Sequence, residues 1–317
     1  MRNSDHTGLR NVRKLALSMA MLSGFFTSLF LQGQDVPSKP LSIPVYHPML
    51  INPAFVGSKD FTNISFTTRA LKYPDSQVIN IHKRIANAEG DYTPLGFGAY
   101  AFQEQLEHSW NTGLAAAGTY HFAVDDEHLH NIAGGVTVKG ILLVPKKGDE
   151  SISDTSAAVF RPNMDLGLYY YGPQAFGGMS VTTLLDTKKG DTISSYSHID
   201  REYHVYGGYK FVLSKTHGIV LEPSLLVSLN DSTLTEPHKH LVPYLKLYVQ
   251  NVYVGTCLKD FDVFALFFQY QFPRLYAGVF LEFPRIGYLN DDNIIFEVSV
   301  GVNLGSGGTP HLQYGHW

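Results

Sequence analysis

The segment Ile294–Leu304 alternates strictly. Ile294, Phe296, Val298, Val300, Val302 and Leu304 fall on one parity; Ile295, Glu297, Ser299, Gly301 and Asn303 fall on the other. Successive side chains of a strand point to opposite faces, so this strand has one greasy and one wet wall. The same register recurs from about Ile132 onward. Lys139 shares a parity with Asn131, Gly135 and Thr137, while Ile132, Val136, Val138 and Leu142 take the other. Lys210 goes with His204, Tyr206 and Gly208; Glu222 goes with Ser224 and Ser228; Lys246 goes with Tyr244 and Tyr248. Glu282 stands between Leu281 and Phe283. A lysine facing mid-bilayer costs about 2–4 kcal/mol and an acid somewhat less, so five such residues misplaced would cancel a domain's stability. The pattern predicts an all-β fold: a transmembrane antiparallel β-barrel whose lumen carries Lys139, Lys210, Glu222, Lys246, Glu282 and Glu297. A soluble two-layer β-fold with a solvated polar face competes with it. The run Val263–Phe268 is apolar on both parities, so part of the lumen is expected to be filled.

The register predicts about fourteen strands, each near the ~9–11 residues a tilted membrane strand needs. They are Phe61–Ala70, Gln77–Lys83, Leu95–Phe102, Trp110–Phe122, Ile132–Val144, Pro162–Tyr171 and Phe176–Leu185. Then come Glu202–Leu213, Ile219–Ser228, Val242–Gln250, Asn251–Leu258, Val263–Gln271, Leu275–Phe283 and Ile294–Leu304. The split at Gln250-Asn251 reads either as a very tight turn or as the middle of one long strand. Pro223, inside a strand, predicts a bulge. From Pro145 onward the connections alternate long and short: Pro145–Arg161 and Asp186–Arg201 are long, Gly172–Ala175 and Phe272–Arg274 short. Outer-membrane barrels pair long extracellular loops with short periplasmic turns, and an even strand count returns both termini to the periplasm.

The chain's start reads differently. Arg2, Arg10, Arg13 and Lys14 precede an apolar run, Leu15–Leu31, and then Gln32-Gly33. Charge, then grease, then a small residue is the order of a secretory signal peptide, here assigned to residues 1–33. Residues 34–60 hold Pro37, Pro40, Pro44, Pro48 and Pro53. Proline removes a donor and restricts its predecessor, so this stretch is neither helix nor central strand. It is expected to be an N-terminal segment that enters or plugs the barrel. Residues 61–305 would form the barrel, and 306–317 a C-terminal tail.

Bulk properties change this picture little. A formal net charge of -4 gives no basic surface for nucleic acid. Mean hydropathy, -0.06, is that of a soluble protein, but alternation cancels in a barrel. The 19 Tyr and 20 Phe suit interfacial girdles. The single cysteine, Cys257, allows no intramolecular disulfide and reads as a packing residue.

Candidate chemistry is thin. His128 and His130, like His238 and His240, have the i, i+2 spacing that could hold zinc or copper on a strand. Both pairs fall in expected loops without a third ligand, so no metal site is assigned. His121 and His204 have no serine at a telling spacing for nucleophilic catalysis. Asp291-Asp292-Asn293 reads as a turn rather than a calcium loop. No Gly-rich phosphate loop precedes a helix. The chain is read as a non-enzyme with no catalytic residues and no cofactor.

The run Tyr46-His47-Pro48-Met49-Leu50-Ile51-Asn52-Pro53-Ala54-Phe55-Val56-Gly57-Ser58 resembles the N-terminal signature of the PorP/SprF family. These are outer-membrane proteins of the Bacteroidota type IX secretion and gliding system. Met164–Tyr171 with Phe176–Val181 is similar to the family's mid-barrel hairpin, and Tyr206–Phe211 with Leu221–Leu226 to the next. The last strands depart from the family pattern, with Gly287-Tyr288 its nearest trace. The resemblance implies a barrel in the outer membrane of a Gram-negative, Bacteroidota-like bacterium, bounded by outer-membrane lipid. It would support export or surface anchoring of a large secreted adhesin. Its partners would be that adhesin or its C-terminal domain, and periplasmic secretion or peptidoglycan-binding components. Asn52, Pro53, Ala54, Phe55, Gly57 and Ser58 would form the family motif, with Asn52, Pro53 and Gly57 shaping a turn of the plug at the barrel mouth. A channel or transporter for a small hydrophobic or polar solute is the alternative.

Overall fold

The computed structural model describes residues 42–59, 61–70, 76–87, 92–105, 109–125, 129–145, 158–185, 201–231, 233–235, 240–259, 263–283 and 294–305. All lie in one compact unit, Pro37–Trp317. The expected signal peptide, the tail, His128, His238, Asp291–Asn293 and most of the long connections fall outside the described residues.

Fourteen antiparallel strands form one closed ring. They are β1 (Thr62–Ala70), β2 (Ser76–Ala86), β3 (Tyr92–Gln105), β4 (Ser109–Ala123), β5 (Asn131–Pro145), β6 (Val159–Tyr171) and β7 (Ala175–Thr182). β8 comes in two pieces, Glu202–Tyr209 and Phe211–Ser214. They continue with β9 (Ile219–Asn230), β10 (Leu241–Val249), β11 (Val252–Lys259), β12 (Val263–Gln271), β13 (Leu275–Phe283) and β14 (Ile295–Leu304). Each strand pairs with its sequence neighbours, and β14 pairs with β1 from Thr62↔Leu304 to Ala70↔Phe296. Closure leaves no sheet edge, the condition for a sheet surrounded by hydrocarbon. No described helix is long and apolar enough to cross a membrane.

One detail differs from the sequence reading, and another decides between its two alternatives. Pro223 causes an interruption, not a bulge. It lies across from Tyr209 in the β8–β9 ladder, has no N–H to donate, and the ladder lapses there at Lys210 while the register resumes unchanged at Leu221↔Phe211. The shift of register falls instead between Ile219 and Val220. Gln250-Asn251 is a two-residue turn: Val249 pairs with Val252, and Gln250 takes φ 54°.

Parity separates the walls. Leu114, Val138, Phe160, Val205 and Met179 are among the outward side chains and are exposed, whereas Thr137, Asp165, His204 and Ser299 on the opposite parity are buried. Of the charged side chains in the described strands, Lys83 takes the outward parity, close to the end of β2, where a long stem can reach water. Outward aromatic pairs sit near the short-turn ends of β4, β8 and β12: Tyr120–Phe122, Tyr209–Phe211 and Tyr270–Phe272, with centroids 4.5, 4.7 and 4.7 Å apart. Aromatic girdles at this height mark the membrane–water interface of barrels.

Residues 42–59 pack on the inward faces of strands on both sides of the ring. A short helix, α1 (Ile43–Tyr46), is followed by 3-10 turns at Pro48–Leu50 and Pro53–Phe55. Pro44, Pro48 and Pro53 occupy first-turn positions, where a missing N–H costs nothing.

Candidate functional site

The site is the contact between residues 42–59 and the barrel's inner wall. Irregular backbone buried away from water must find hydrogen-bond partners. Here wall side chains supply them. Thr119 Oγ1 donates to the Val56 carbonyl at 2.8 Å, His121 Nε2 lies 2.9 Å from the same oxygen, and Ser180 Oγ donates to the Ile51 carbonyl. In return the Tyr46 hydroxyl donates to the Val279 carbonyl at 2.8 Å.

Asn52 is the centre of the seat. Its Oδ1 accepts from Ala54 N at 2.9 Å, capping the Pro53–Phe55 turn. Its Nδ2 donates to the Leu168 carbonyl at 2.9 Å. This approach needs a wall without side chains. A Cβ on Gly167 would collide with Asn52 Oδ1, and one on Gly135 would collide with the Ala54 backbone. Gly57 has φ +73° and meets Gly96 backbone to backbone, so it needs glycine for both conformation and space.

The remaining motif residues are also placed. Pro53 and Ala54 are buried, and Ala54 packs with Ala133 and Tyr169. The Phe55 ring lies 5.6 Å from that of Tyr169 and 5.8 Å from His82, with Lys59 Nζ 5.8 Å over its face. Ser58 is buried. The motif sits against the inner wall, toward the short-turn ends of β4 and β6.

A second contact surface is apolar. Tyr46 and Ile51, with Ile43 and Val45 beside them, pack on Val242, Tyr244, Cys257, Ala265, Phe267 and Phe280. Phe267 and Phe280 stack with centroids 5.5 Å apart, and Tyr46 meets Phe280 edge-on at 6.3 Å. The inward half of the Val263–Phe268 run is therefore covered by residues 42–59, while Phe264, Leu266 and Phe268 face outward.

His47 lies between the two surfaces. It is buried, with Nε2 2.5 Å from Thr67 Oγ1 and Nδ1 beside Ser65 and Asn80.

The six charged residues of the sequence reading are inward and fall into four arrangements. Lys139 pairs with Asp165 at 2.7 Å. Lys246 and Glu222, directly opposite across β9–β10, pair at 3.0 Å, and Tyr248 donates to the second Glu222 oxygen. Lys210 holds its Nζ 5.8 Å over the Phe176 ring. Arg69 binds both Glu282 and Glu297 at 3.0 Å. Arg69 and Asp165 were not singled out beforehand, although both lie on the wet parity of their strands. A buried pair of this kind is held by geometry and is costly to break one partner at a time.

His204 does have a serine beside it, contrary to its reading from spacing. Ser228 stands directly across the β8–β9 ladder, with Oγ 2.9 Å from His204 Nδ1; Glu202 is 3.3 Å from Nε2. The hydroxyl is thus on the opposite ring nitrogen from that of the familiar triads. His130 stacks on Tyr170 and shares a hydrogen bond with it at 2.8 Å. Among the described residues no three metal-ligating side chains converge.

Comparison with known proteins gives one family. The model described as type IX secretion system membrane protein PorP/SprF matches residues 44–302. No curated protein matches the chain. Among solved structures the chain is similar to a KdgM porin, with 10% identity over 76% of this chain and 98% of that one and a TM-score of 0.38. It is also similar to BamA from Haemophilus ducreyi lacking POTRA domains 1-3, with 11% identity, 78% and 70% coverage and a TM-score of 0.39. A mutant porin from Rh. blastica matches at 10% identity, 77% and 99% coverage and a TM-score of 0.34. At such scores these likenesses carry no weight beside the ring closure itself.

Proposed function

The chain belongs to the PorP/SprF family of type IX secretion system membrane proteins, and from that premise we propose that it is an anchoring barrel and not a conduit. It is an outer-membrane β-barrel of that secretion system. In our reading residues 34–60 are a resident plug, the long connections form the outer face, and a large secreted surface protein docks there as partner. Periplasmic secretion components would meet the short-turn face. The inward charged residues hold the plugged lumen together and do not select solutes.

One observation carries this reading: residues 42–59 are hydrogen-bonded to β4, β7 and β13, on both sides of the ring. A lumen filled in this way has little use as a pore, so the work falls to the faces. The PorP/SprF family and the barrel fold are non-enzymatic types, and no catalytic role is assigned to Ser228 and His204.

The test is capture of the intact barrel from cross-linked outer membranes, with bilayer conductance measured in parallel. Enrichment of a secreted surface protein or a periplasmic secretion component, with no steady conductance, is the expected result. Steady conductance without such a partner would favour the solute channel.

A further inference from the structure

The lipid-facing wall of the described strands carries a charge at Lys83. This side chain, on β2, is exposed. The ion pairs of the described strands lie on the other face of the sheet, and none of them involves Lys83. Its neighbours of the same parity, Ile81 and Ile85, are exposed and apolar. Lys83 stands directly across the β2–β3 ladder from Phe97. Leu95, two residues before Phe97 and on the same face, stands across from Tyr120. Tyr120 belongs to the outward pair Tyr120–Phe122 near the short-turn end of β4. Aromatic rings in this position sit at headgroup level. The Lys83 ammonium is therefore offered at the depth where a phospholipid carries its phosphate. The same row has an opening beside the lysine. Phe97 pairs with Gly118, and Gly118 with Val136. A Cβ on Gly118 would meet nothing within 4 Å, so the wall is notched there. Phe97 and Tyr120, 53% and 45% exposed, stand at its sides.

We infer that Lys83 and the Gly118 notch form a site for a single anionic phospholipid of the inner leaflet. The phosphate pairs with the ammonium, and an acyl chain crosses Phe97 to lie in the notch. Neighbouring strands are about 4.8 Å apart, so Gly118 is about 10 Å from Lys83, a span that a lysine stem and a glycerol bridge cover between them. Lysine stems at membrane surfaces also reach past the headgroups into water. Here the stem lies among isoleucines and the notch beside it is apolar, which suits a lipid chain and offers water nothing. A second copy of the barrel fits less well. Its lipid-facing wall holds, among the described residues, no carboxylate to meet Lys83. An anionic phospholipid supplies both the charge and the chain.

The choice of the inner leaflet rests on the proposed function, which puts the short turns in the periplasm. The test is lipid retention. The intact barrel in mild detergent is loaded with dioleoylphosphatidylglycerol or with dioleoylphosphatidylcholine, washed, and the lipid it keeps is counted by native mass spectrometry. A single phosphatidylglycerol should remain on the barrel, and phosphatidylcholine should wash away. Lys83→Gln should lower the occupancy by about fivefold, the factor that one lysine contributes at an anionic surface. Lys83→Arg should keep it. Gly118→Val fills the notch and should lower occupancy too, with the midpoint of the heat-modifiable transition unchanged. Equal retention by the native barrel and Lys83→Gln, or equal retention of the two lipids, overturns the site. Full retention by Gly118→Val overturns the seated chain. The lipid that co-purifies from native outer membranes separates this inference from the reading it rests on. A phospholipid lost in Lys83→Gln supports the site whether or not a docked partner is captured. Lipopolysaccharide held with the same dependence on Lys83 overturns the inner leaflet as the source, and the orientation of the barrel with it.

Discussion

The two halves of the inner wall hold the same short segment by different means. On β3 to β7 the wall is small: Gly96, Gly98, Ala115, Ala117, Ala133, Gly135, Gly167 and Gly178 point inward. It meets Asn52–Gly57 backbone to backbone, and almost nothing there can move aside. On β10 to β13 the wall is large: Tyr244, Tyr248, Tyr253, Phe267 and Phe280 point inward. It meets Tyr46 and Ile51 mostly by side-chain area, with a hydrogen bond from the Tyr46 hydroxyl to the Val279 carbonyl. The first half fixes position by shape and several hydrogen bonds; the second adds mainly burial energy, with the Tyr46 hydroxyl as its one directional contact among those described. A family signature built on Asn52-Pro53-Ala54 fits the first half, because an asparagine cap beside a glycine wall has few substitutes. The aromatic half could be repacked at similar volume with little loss.

That contrast makes opposite predictions for the two walls. The largest effect is expected from Gly135→Val. Its new Cβ and branches meet the Ala54 backbone, which cannot rotate away. Overpacking costs about 1–3 kcal/mol where side chains can yield, and more where they cannot. The expected outcome is loss of seating: steady bilayer conductance from a barrel that still shows a heat-modifiable gel shift. A silent lumen in Gly135→Val would mean that the glycine wall is not what holds the segment. Next comes Phe280→Ala. This removes a fully buried ring stacked on Phe267, at about 3–5 kcal/mol for a deletion of that size. The midpoint of the heat-modifiable transition should fall, yet the segment should stay seated, because Asn52 and its partners are untouched. Conductance in Phe280→Ala would erase the distinction between the halves.

Strand parity was the legible part. Every second residue decides it, so Lys139, Glu222, Lys246, Glu282 and Glu297 could be assigned a face from spacing alone. Strand ends were less legible. β2 and β3 run well past Lys83 and Phe102, because paired backbone continues where Arg84, Ala86 and Gln103 no longer alternate cleanly. The seat could not be read at all. Gly135 and Gly167 carry no hydrophobic signal, and what makes them matter is a segment far earlier in the chain. The Ser228–His204 contact was missed for a related reason, since it depends on hairpin register and not on spacing. His47 gave no sign of burial, lying between prolines where periodicity is silent.

The smallest effect sharpens the comparison most. Gly118 and Gly135 lie in paired strands, with Gly118 opposite Val136 and Gly135 opposite Thr119. They are near neighbours in one sheet but point through opposite faces. A Cβ on Gly118 meets nothing within 4 Å. It projects toward lipid, where a valine suits the strand and burdens no packing. Gly118→Val should therefore change stability by no more than about 0.5 kcal/mol and leave the lumen closed. The same residue change one strand away is expected to unseat the segment. If the two variants behave alike, the cost of Gly135→Val lies in the strand itself, through lost glycine backbone or altered twist. If they differ as expected, strand effects cancel between them and what remains is the contact with Ala54.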